Sequence, residues 1–414
     1  MKFLYDFVIS SAEKLLPVAG RLHDKLNLFT EGRLGLFEHL AAEINNSDST
    51  IWIHAASLGE YEQAVPVIKE LRHQFPDHKI VVSFFSPSGY EVKKASSLAD
   101  VVTYLPLDTR KNVRRFLDLV HPELVMFVKY EFWPNFLDEL ATRRIKSLLI
   151  SGAFRIDQAF FKFYGKWMRK YLSAFDFFFL QNHSSLELLQ EMGFSNAVVS
   201  GDTRYDRVFA QLSQDNHLDF IEEFVNGDLC IVAGSTWPED EDLILEFINS
   251  DETGAKFIIA PHTIKNFRIK ELEAKLEVPS VKYSEWEGEN LKEKKVFIID
   301  TIGLLTRIYS YADIAFVGGA SGNTGLHNVL EPAAFGVPII IGKHYGKFPE
   351  AAELLRVGAL FSVKNSEAAT ETFKDLVADK NLRKQLGLMA ANYIANKRGA
   401  TETIMDYLSK NRNP

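Results

Sequence analysis

A chain of 414 residues with 46% apolar and 25% charged side chains, 24 Gly and 14 Pro has the make-up of a folded protein of two or three domains. A single small module, a disordered chain, a collagen and a coiled coil are excluded. The formal charge of −8 is uneven: residues 1–200 hold 23 Lys plus Arg against 23 Asp plus Glu, residues 201–414 hold 24 against 32, and no dominant positive field for nucleic acid results.

The lone Cys230 can form neither an internal disulfide nor a cysteine metal cage, and no secretory signal is legible, so the reducing, cytoplasmic side is expected. No uncharged apolar run reaches the roughly 18 residues of a confident membrane span. In the first 30 residues, Phe3, Leu4, Phe7, Val8, Leu15 and Leu16 fall at helical spacing beside Lys2, Lys14, Arg21 and Lys25. Two readings stand open: a helix lying on a membrane surface, or one packed on its own domain, because Asp6, Glu13, Asp24 and Glu31 nearly cancel the bases.

From residue 51 short apolar runs alternate with amphipathic stretches: Ile51–Ala56, Lys79–Phe85, Val101–Leu105, Leu124–Val128, Ser147–Ile150, Phe177–Leu180 and Ala197–Val199. These are expected parallel strands of β-α-β units with helices on both faces. After a polar stretch near Gln214–Asp219 the pattern restarts with Cys230–Ala233, Phe257–Ala260, Val296–Ile299, Ile314–Val317 and Val337–Ile341. Two doubly wound Rossmann-like α/β domains facing a central cleft are therefore expected, joined near residues 205–225, since so many strands exceed one ordinary open sheet. The boundaries are 1–30 for the N-terminal segment, 31–210 and 225–385 for the two domains, and 386–414 for a C-terminal helix. Spacing alone does not say whether that helix, legible over Asn381–Lys410, crosses back to the first domain.

Ile51-Trp-Ile-His-Ala-Ala-Ser-Leu-Gly-Glu60 runs from a strand into a turn, with Gly59 allowing close backbone approach and Glu60 opening the next helix. A carboxylate at the carboxyl edge of such a strand can take a proton from an incoming hydroxyl, or simply complement the helix dipole. Over Arg155–Tyr171, Arg155, Lys162, Lys166, Arg169 and Lys170 alternate with aromatic residues. That stripe suits a phosphorylated lipid, although a core-packed helix with a solvated basic face is the more frequent cause of such a stripe.

In the second half, Gly234-Ser235-Thr236 and Pro261-His262-Thr263 end strands, as phosphate or base contacts or as helix caps. Phe316-Val-Gly-Gly-Ala-Ser-Gly-Asn-Thr-Gly-Leu-His-Asn328 sets Gly318, Gly319, Gly322 and Gly325 after a buried strand and before a helix, where amides can converge on a nucleotide phosphate or the glycines serve tight packing alone. His327 and Glu331, four residues apart, are expected on one helix face. The glycine spacing fits no dinucleotide fingerprint, no Walker loop or nucleophile elbow occurs, and the histidines lack metal-ligand spacing.

With Ser57-Leu-Gly-Glu60, Tyr130-Glu131-Phe-Trp-Pro-Asn135, Ser200-Gly-Asp-Thr-Arg-Tyr-Asp206, Gly234-Ser-Thr236, Asp300-Thr-x-Gly303 and Gly325-x-His-Asn-x-x-Glu-Pro332 in order, the chain resembles the 3-deoxy-D-manno-octulosonic acid (Kdo) transferases over roughly residues 30–360. The resemblance implies the GT-B architecture, a lipid acceptor on the first domain, CMP-Kdo on the second, and no cofactor or bound metal. It further implies inverting transfer of Kdo to the lipid A precursor (lipid IVA) of lipopolysaccharide at the cytoplasmic face of the inner membrane, with residues 1–30 as a surface anchor.

Carried onto this chain, the resemblance makes Glu60 the base that deprotonates the acceptor. It gives Ser235, Thr236, His262, Gly318, Gly319, Gly325, His327, Asn328 and Glu331 to the nucleotide and donor sugar. Ser57, Gly59, Glu131 and Arg155 go to the acceptor or the donor carboxylate. Leu326, Ala320, Pro261 and Lys129 depart from the family pattern, which bears on the nucleotide contacts. Competing expectations are another GT-B glycosyltransferase or epimerase using a UDP-sugar, and a membrane-associated sugar-binding protein without catalysis.

Overall fold

The computed structural model describes residues 1–20 and 24–411, except the side chains of residues 24 and 25. The chain forms two compact units, Met1–Arg207 with Arg398–Pro414, and Val208–Lys397. In the first unit seven parallel strands, β1 (Thr50–Ala55), β2 (Lys79–Phe84), β3 (Val101–Tyr104), β4 (Pro122–Val128), β5 (Lys146–Gly152), β6 (Phe177–Leu180) and β7 (Ala197–Val199), lie in the order β3-β2-β1-β4-β5-β6-β7. All six residues of β1 are buried, because both sheet faces are covered. Trp52 on one face packs among Phe116, Phe127 and Phe136 with ring centroids 4.9, 5.4 and 5.3 Å away. Ile51, Ile53 and Ala55 alternate to the other face, against Tyr61 and Ile68 of helix Leu58–Gln74.

The second unit repeats the plan with β8 (Cys230–Thr236), β9 (Lys256–Pro261), β10 (Ser280–Lys282), β11 (Val296–Ile298), β12 (Ile314–Val317), β13 (Ile339–Ile341) and β14 (Leu360–Ser362), in the order β10-β11-β9-β8-β12-β13-β14. Every expected apolar run overlaps a strand. The two unexpected strands, β10 and β14, are three-residue edges. An edge strand needs neither length nor continuous apolar character, so it leaves little trace in the sequence.

Two expectations about helices are corrected. The single helix expected over 381–410 is two, Lys380–Lys397 and Ala400–Lys410, separated at Gly399 with φ 113°. The second of these packs in the first unit: Ile404, Met405 and Leu408 join the core around Ile68, and Asp206 accepts from Gly399 N (2.6 Å), Thr401 N (2.8 Å) and Thr401 Oγ1 (2.8 Å). The aromatic stripe is not an α-helix but 3₁₀ turns, Ala159–Phe161 and Phe163–Ala174. Gly165 lies so close to the preceding turn that a Cβ there would sit 1.8 Å from the Ala159 carbonyl oxygen.

Helix Lys2–Gly20 is amphipathic the wrong way round for a packed helix. Its polar groups face the unit: Tyr5 donates to Asp108 (2.7 Å), Lys2 to Asp138 (3.0 Å), and Asp6 accepts from Asn135 (2.9 Å). Phe3, Leu4, Phe7, Val8, Leu15 and Val18 are exposed instead. Arg21 and the side chains of Asp24 and Lys25, part of the charge expected there, lie outside the described residues. Among the described residues no helix is long and apolar enough to cross a membrane.

Candidate functional site

Each sheet has one topological switch point, between β1 and β4 in the first unit and between β8 and β12 in the second. Successive crossovers run in opposite directions from these pairs, which leaves a crevice at the strands' carboxyl ends, the usual ligand position in open α/β sheets. The expected residues fall around these two places.

In the first unit Glu60 follows β1 and Glu131 follows β4. Ser57 is the N-cap of helix Leu58–Gln74, though its hydroxyl makes no capping bond. Glu60, in the first turn, reaches back to accept from Ala56 N at 2.6 Å. It is thus a helix-terminal carboxylate, as the plainer reading of the sequence had it, and also more. The residue is only 6% exposed and no Lys or Arg pairs with it among the described residues. Burial, then the charge of Glu131, pushes its carboxyl up to about 7, against the opposing pull of the Ala56 N–H, Lys129 and the Ser57 N–H. That value lies where a base is half ionised at neutral pH. Gly59 beside it is exposed, and a side chain there would meet nothing within 4 Å.

Glu131 accepts from Trp133 Nε1 at 3.0 Å and lies 3.5 Å from His54 Nε2. Lys129, held at φ 69°, and Arg155 both stand over the Tyr130 ring, 5.1 and 5.5 Å from its centroid. Arg155 is exposed, 3.5 Å from Asp157. The motif Ser200–Asp206 supports this site from behind. Asp202 accepts from Gln63 (3.1 Å) and Thr203 donates to the Gln63 carbonyl (2.6 Å), fixing the helix that carries Glu60.

In the second unit Ser235, the last but one residue of β8, lies in the left-handed region with φ 55°, a strained position for a residue with a side chain. Thr236 is buried and donates to Glu241 at 3.2 Å; neither residue caps a helix. A cavity of about 340 Å³ beside Thr236 is also lined by Pro261, Thr263, Lys265 and Arg268. His262 stacks on Trp237 (4.6 Å) and neighbours His327 (4.5 Å). Trp237 Nε1, which can only donate, donates to His327 Nε2 at 3.1 Å, so that nitrogen carries no proton. Burial and the neighbouring His262 push His327 down to about 4. Asn328 donates to Glu331 (3.1 Å), which also accepts from Thr306 (3.1 Å).

The glycine-rich turn differs from expectation. The amides of Gly318, Gly319 and Gly325 already donate, to Gly234 O (2.9 Å), Asp240 Oδ2 (2.7 Å) and Gly319 O (3.1 Å). A Cβ at Gly318 would lie 2.4 Å from the Ser235 carbonyl oxygen, so close packing accounts for that glycine. The following helix is only Leu330–Ala334, which leaves His327 in the preceding loop rather than on a helix face with Glu331. Among the described residues the amides of Gly322, Asn323 and Thr324 have no protein acceptor. Sequence reasoning missed Asp240, whose buried carboxylate gathers Trp237 N, Gly319 N and Ser321 N. In the acidic run Pro238-Glu-Asp-Glu-Asp242 it reads as a helix-dipole residue. Among the described residues no three His, Cys, Asp or Glu side chains cluster as a metal site.

Comparison with known proteins places the fold first. A UDP-GlcNAc 2-epimerase from Neisseria meningitidis superposes with a TM-score of 0.61 at 15% identity, over 87% of this chain and all of that one. MurG from Acinetobacter baumannii does so at 0.54 and 14%, over 88% and 99%. Residues 281–392 match the family model for glycosyl transferases group 1. The protein is thus a glycosyltransferase of the GT-B fold.

Residues 30–207 match the family model for 3-deoxy-D-manno-octulosonic-acid transferase (kdotransferase). The Kdo transferase of Aquifex aeolicus is 29% identical over 343 residues, covering 81% of this chain and 88% of its own length. That of Haemophilus influenzae is 29% identical over 375 residues, 86% of each. A bifunctional glycosyltransferase/methyltransferase of Fusobacterium nucleatum is 29% identical over 343 residues, and the chain spans 53% of its length. The chain is thus similar to the Kdo transferases over most of its length.

Proposed function

We propose that the protein transfers Kdo from CMP-Kdo to a hydroxyl of a lipid A precursor, with Glu60 as general base. The observation that carries this reading is Glu60 itself: a buried carboxylate at the first sheet's switch point, in no ion pair among the described residues and pushed up to about 7. A helix-capping carboxylate with no other task is normally solvated and ionised well below that.

In this reading the acceptor hydroxyl gives its proton to Glu60 as its oxygen bonds the anomeric carbon of Kdo. The bond from that carbon to the CMP phosphate oxygen breaks on the opposite face, so the configuration inverts and CMP leaves as an anion. Gly59 leaves room for the acceptor, and Arg155 with Lys129 offers positive charge to an acceptor phosphate or the Kdo carboxylate. On the second unit, Ser235, Thr236, His262, His327, Asn328 and Glu331 serve the nucleotide and sugar. Since Gly318, Gly319 and Gly325 are engaged, the amides of Gly322, Asn323 and Thr324 are the main-chain donors for the leaving phosphate.

The outward apolar face of helix Lys2–Gly20, with exposed Phe163 and Tyr164 and neighbouring Lys162 and Lys166, supports seating on an anionic membrane surface. In this reading the enzyme sits peripherally at the cytoplasmic face of the inner membrane. Tyr5 packs on Trp167 at 5.8 Å, and Lys2 stands 4.8 Å from the Tyr171 centroid, so the helix packs against the stripe.

The test is incubation with in situ generated CMP-Kdo and a tetraacylated lipid A precursor, reading products by mass spectrometry. A Kdo mass increment with the native protein and none with Glu60→Gln is expected. No product, or undiminished product with Glu60→Gln, overturns the reading. Thermal stabilisation by UDP and not by CMP would favour the UDP-sugar enzymes whose fold it shares.

A further inference from the structure

His54 is wholly buried on β1, where every other residue is apolar or aromatic except Thr50, whose hydroxyl donates to the Val120 carbonyl. A lone histidine there needs a reason, since each ring nitrogen requires a partner. Its Nδ1 lies 2.9 Å from Ser83 Oγ and 3.1 Å from Ser83 O on β2. Its Nε2 is buried without a hydrogen bond, 3.5 Å from Glu131 Oε2. Trp52 Nε1 donates to the same Ser83 Oγ at 2.8 Å.

The order of donors follows. An indole N–H only donates, so Ser83 Oγ accepts from Trp52 and has its own hydrogen to give to His54 Nδ1. The ring proton then resides on Nε2, aimed at the Glu131 carboxylate. The opposite tautomer, with Nδ1–H directed at the Ser83 carbonyl, would turn a nitrogen lone pair toward a carboxylate.

We propose that His54 is a positioning residue that, held by Trp52 and Ser83, aims its Nε2–H at Glu131 and so keeps that carboxylate beside Glu60. The proposal deepens the Glu60 reading and rests on it for its catalytic meaning. The charged groups bearing on Glu60 are Glu131 and Lys129; the one facing His54 is Glu131. With Glu131 held close, its charge keeps Glu60 from ionising too early. Without the N–H donor, the carboxylate swings away and Glu60 ionises at lower pH.

The decisive measurement is ¹³C NMR titration of protein labelled at glutamate side-chain carboxyls, with the Glu60 signal assigned from Glu60→Gln. It needs no turnover, so it separates failure of this inference from failure of the transfer reading. The Glu60 midpoint should fall by about one pH unit in His54→Phe. His54→Asn can still meet Ser83 but stops short of Glu131, so it should shift as far and stands in should the Phe variant not fold. His54→Gln, which returns a donor, should recover most of the shift. In the transfer assay the acidic limb of kcat/KM should move with the midpoint, more than KM changes. A Glu60 midpoint unmoved in either folded variant, Phe or Asn, overturns the proposal and leaves His54 a packing residue.

Discussion

Glu60→Gln should kill turnover and strengthen the fold at once, by amounts that depend on pH. Loss of a general base costs typically ~10²–10⁴-fold in rate. The stability effect has the opposite sign. Glu60 is raised above its unfolded value of 4.5 to about 7, so its protonated form is favoured in the folded state. That contribution is complete below 4.5 and is lost as pH rises through 7. Above 7 the native protein carries a desolvated charge that glutamine lacks, a difference of at most about 3 kcal/mol. For a unit of this size, that is a gain of several degrees in melting temperature. Scanning calorimetry of both proteins from pH 5 to 8.5 should show the variant's advantage growing with pH and levelling above 7.5. A constant offset across the range would refute the argument, because then Glu60 titrates alike in folded and unfolded chains.

Three further outcomes are expected. Asp240→Asn replaces a buried acceptor of three amides with a group that repels one of them, and should cost roughly 2–4 kcal/mol in chemical denaturation and weaken CMP binding measured by calorimetry. Asp206→Ala removes the carboxylate that accepts from Gly399 and Thr401, and should destabilise the first unit by about 1–3 kcal/mol with early hydrogen exchange in Ala400–Lys410. Phe3→Glu with Phe7→Glu should reduce sedimentation with anionic vesicles at least tenfold without lowering the melting temperature, since both rings are exposed. Unchanged sedimentation would detach that helix from the membrane reading.

How far the sequence carries depends on whether a residue's partners are near it in the chain. The buried strands were legible because covering both faces demands uninterrupted apolar runs, as at Ile339–Ile341. Glu60 was legible because strand, glycine and acid are contiguous. The glycines at 318, 319 and 325 suggested a phosphate cradle, but Asp240, some eighty positions earlier, takes the Gly319 amide, and local spacing carries no sign of that. His54 escaped for the same reason: its tautomer is set by Ser83, which parallel pairing puts directly beside it. The polarity of helix Lys2–Gly20 was visible as a period, yet which side turns inward depended on Asp108 and Asn135, both more than a hundred residues away.

The placement of Ala400–Lys410 has a consequence for how the protein is made. During synthesis the sheet that bears Glu60 emerges early, but the piece that covers Ile68 on one of its helices arrives only after the whole second unit has been translated. Until then a greasy patch stays uncovered on the nascent chain, so the first unit to begin folding is the last to finish. Expressing residues 1–207 alone should yield an aggregation-prone fragment, and supplying the missing helix in trans or by circular permutation should rescue it.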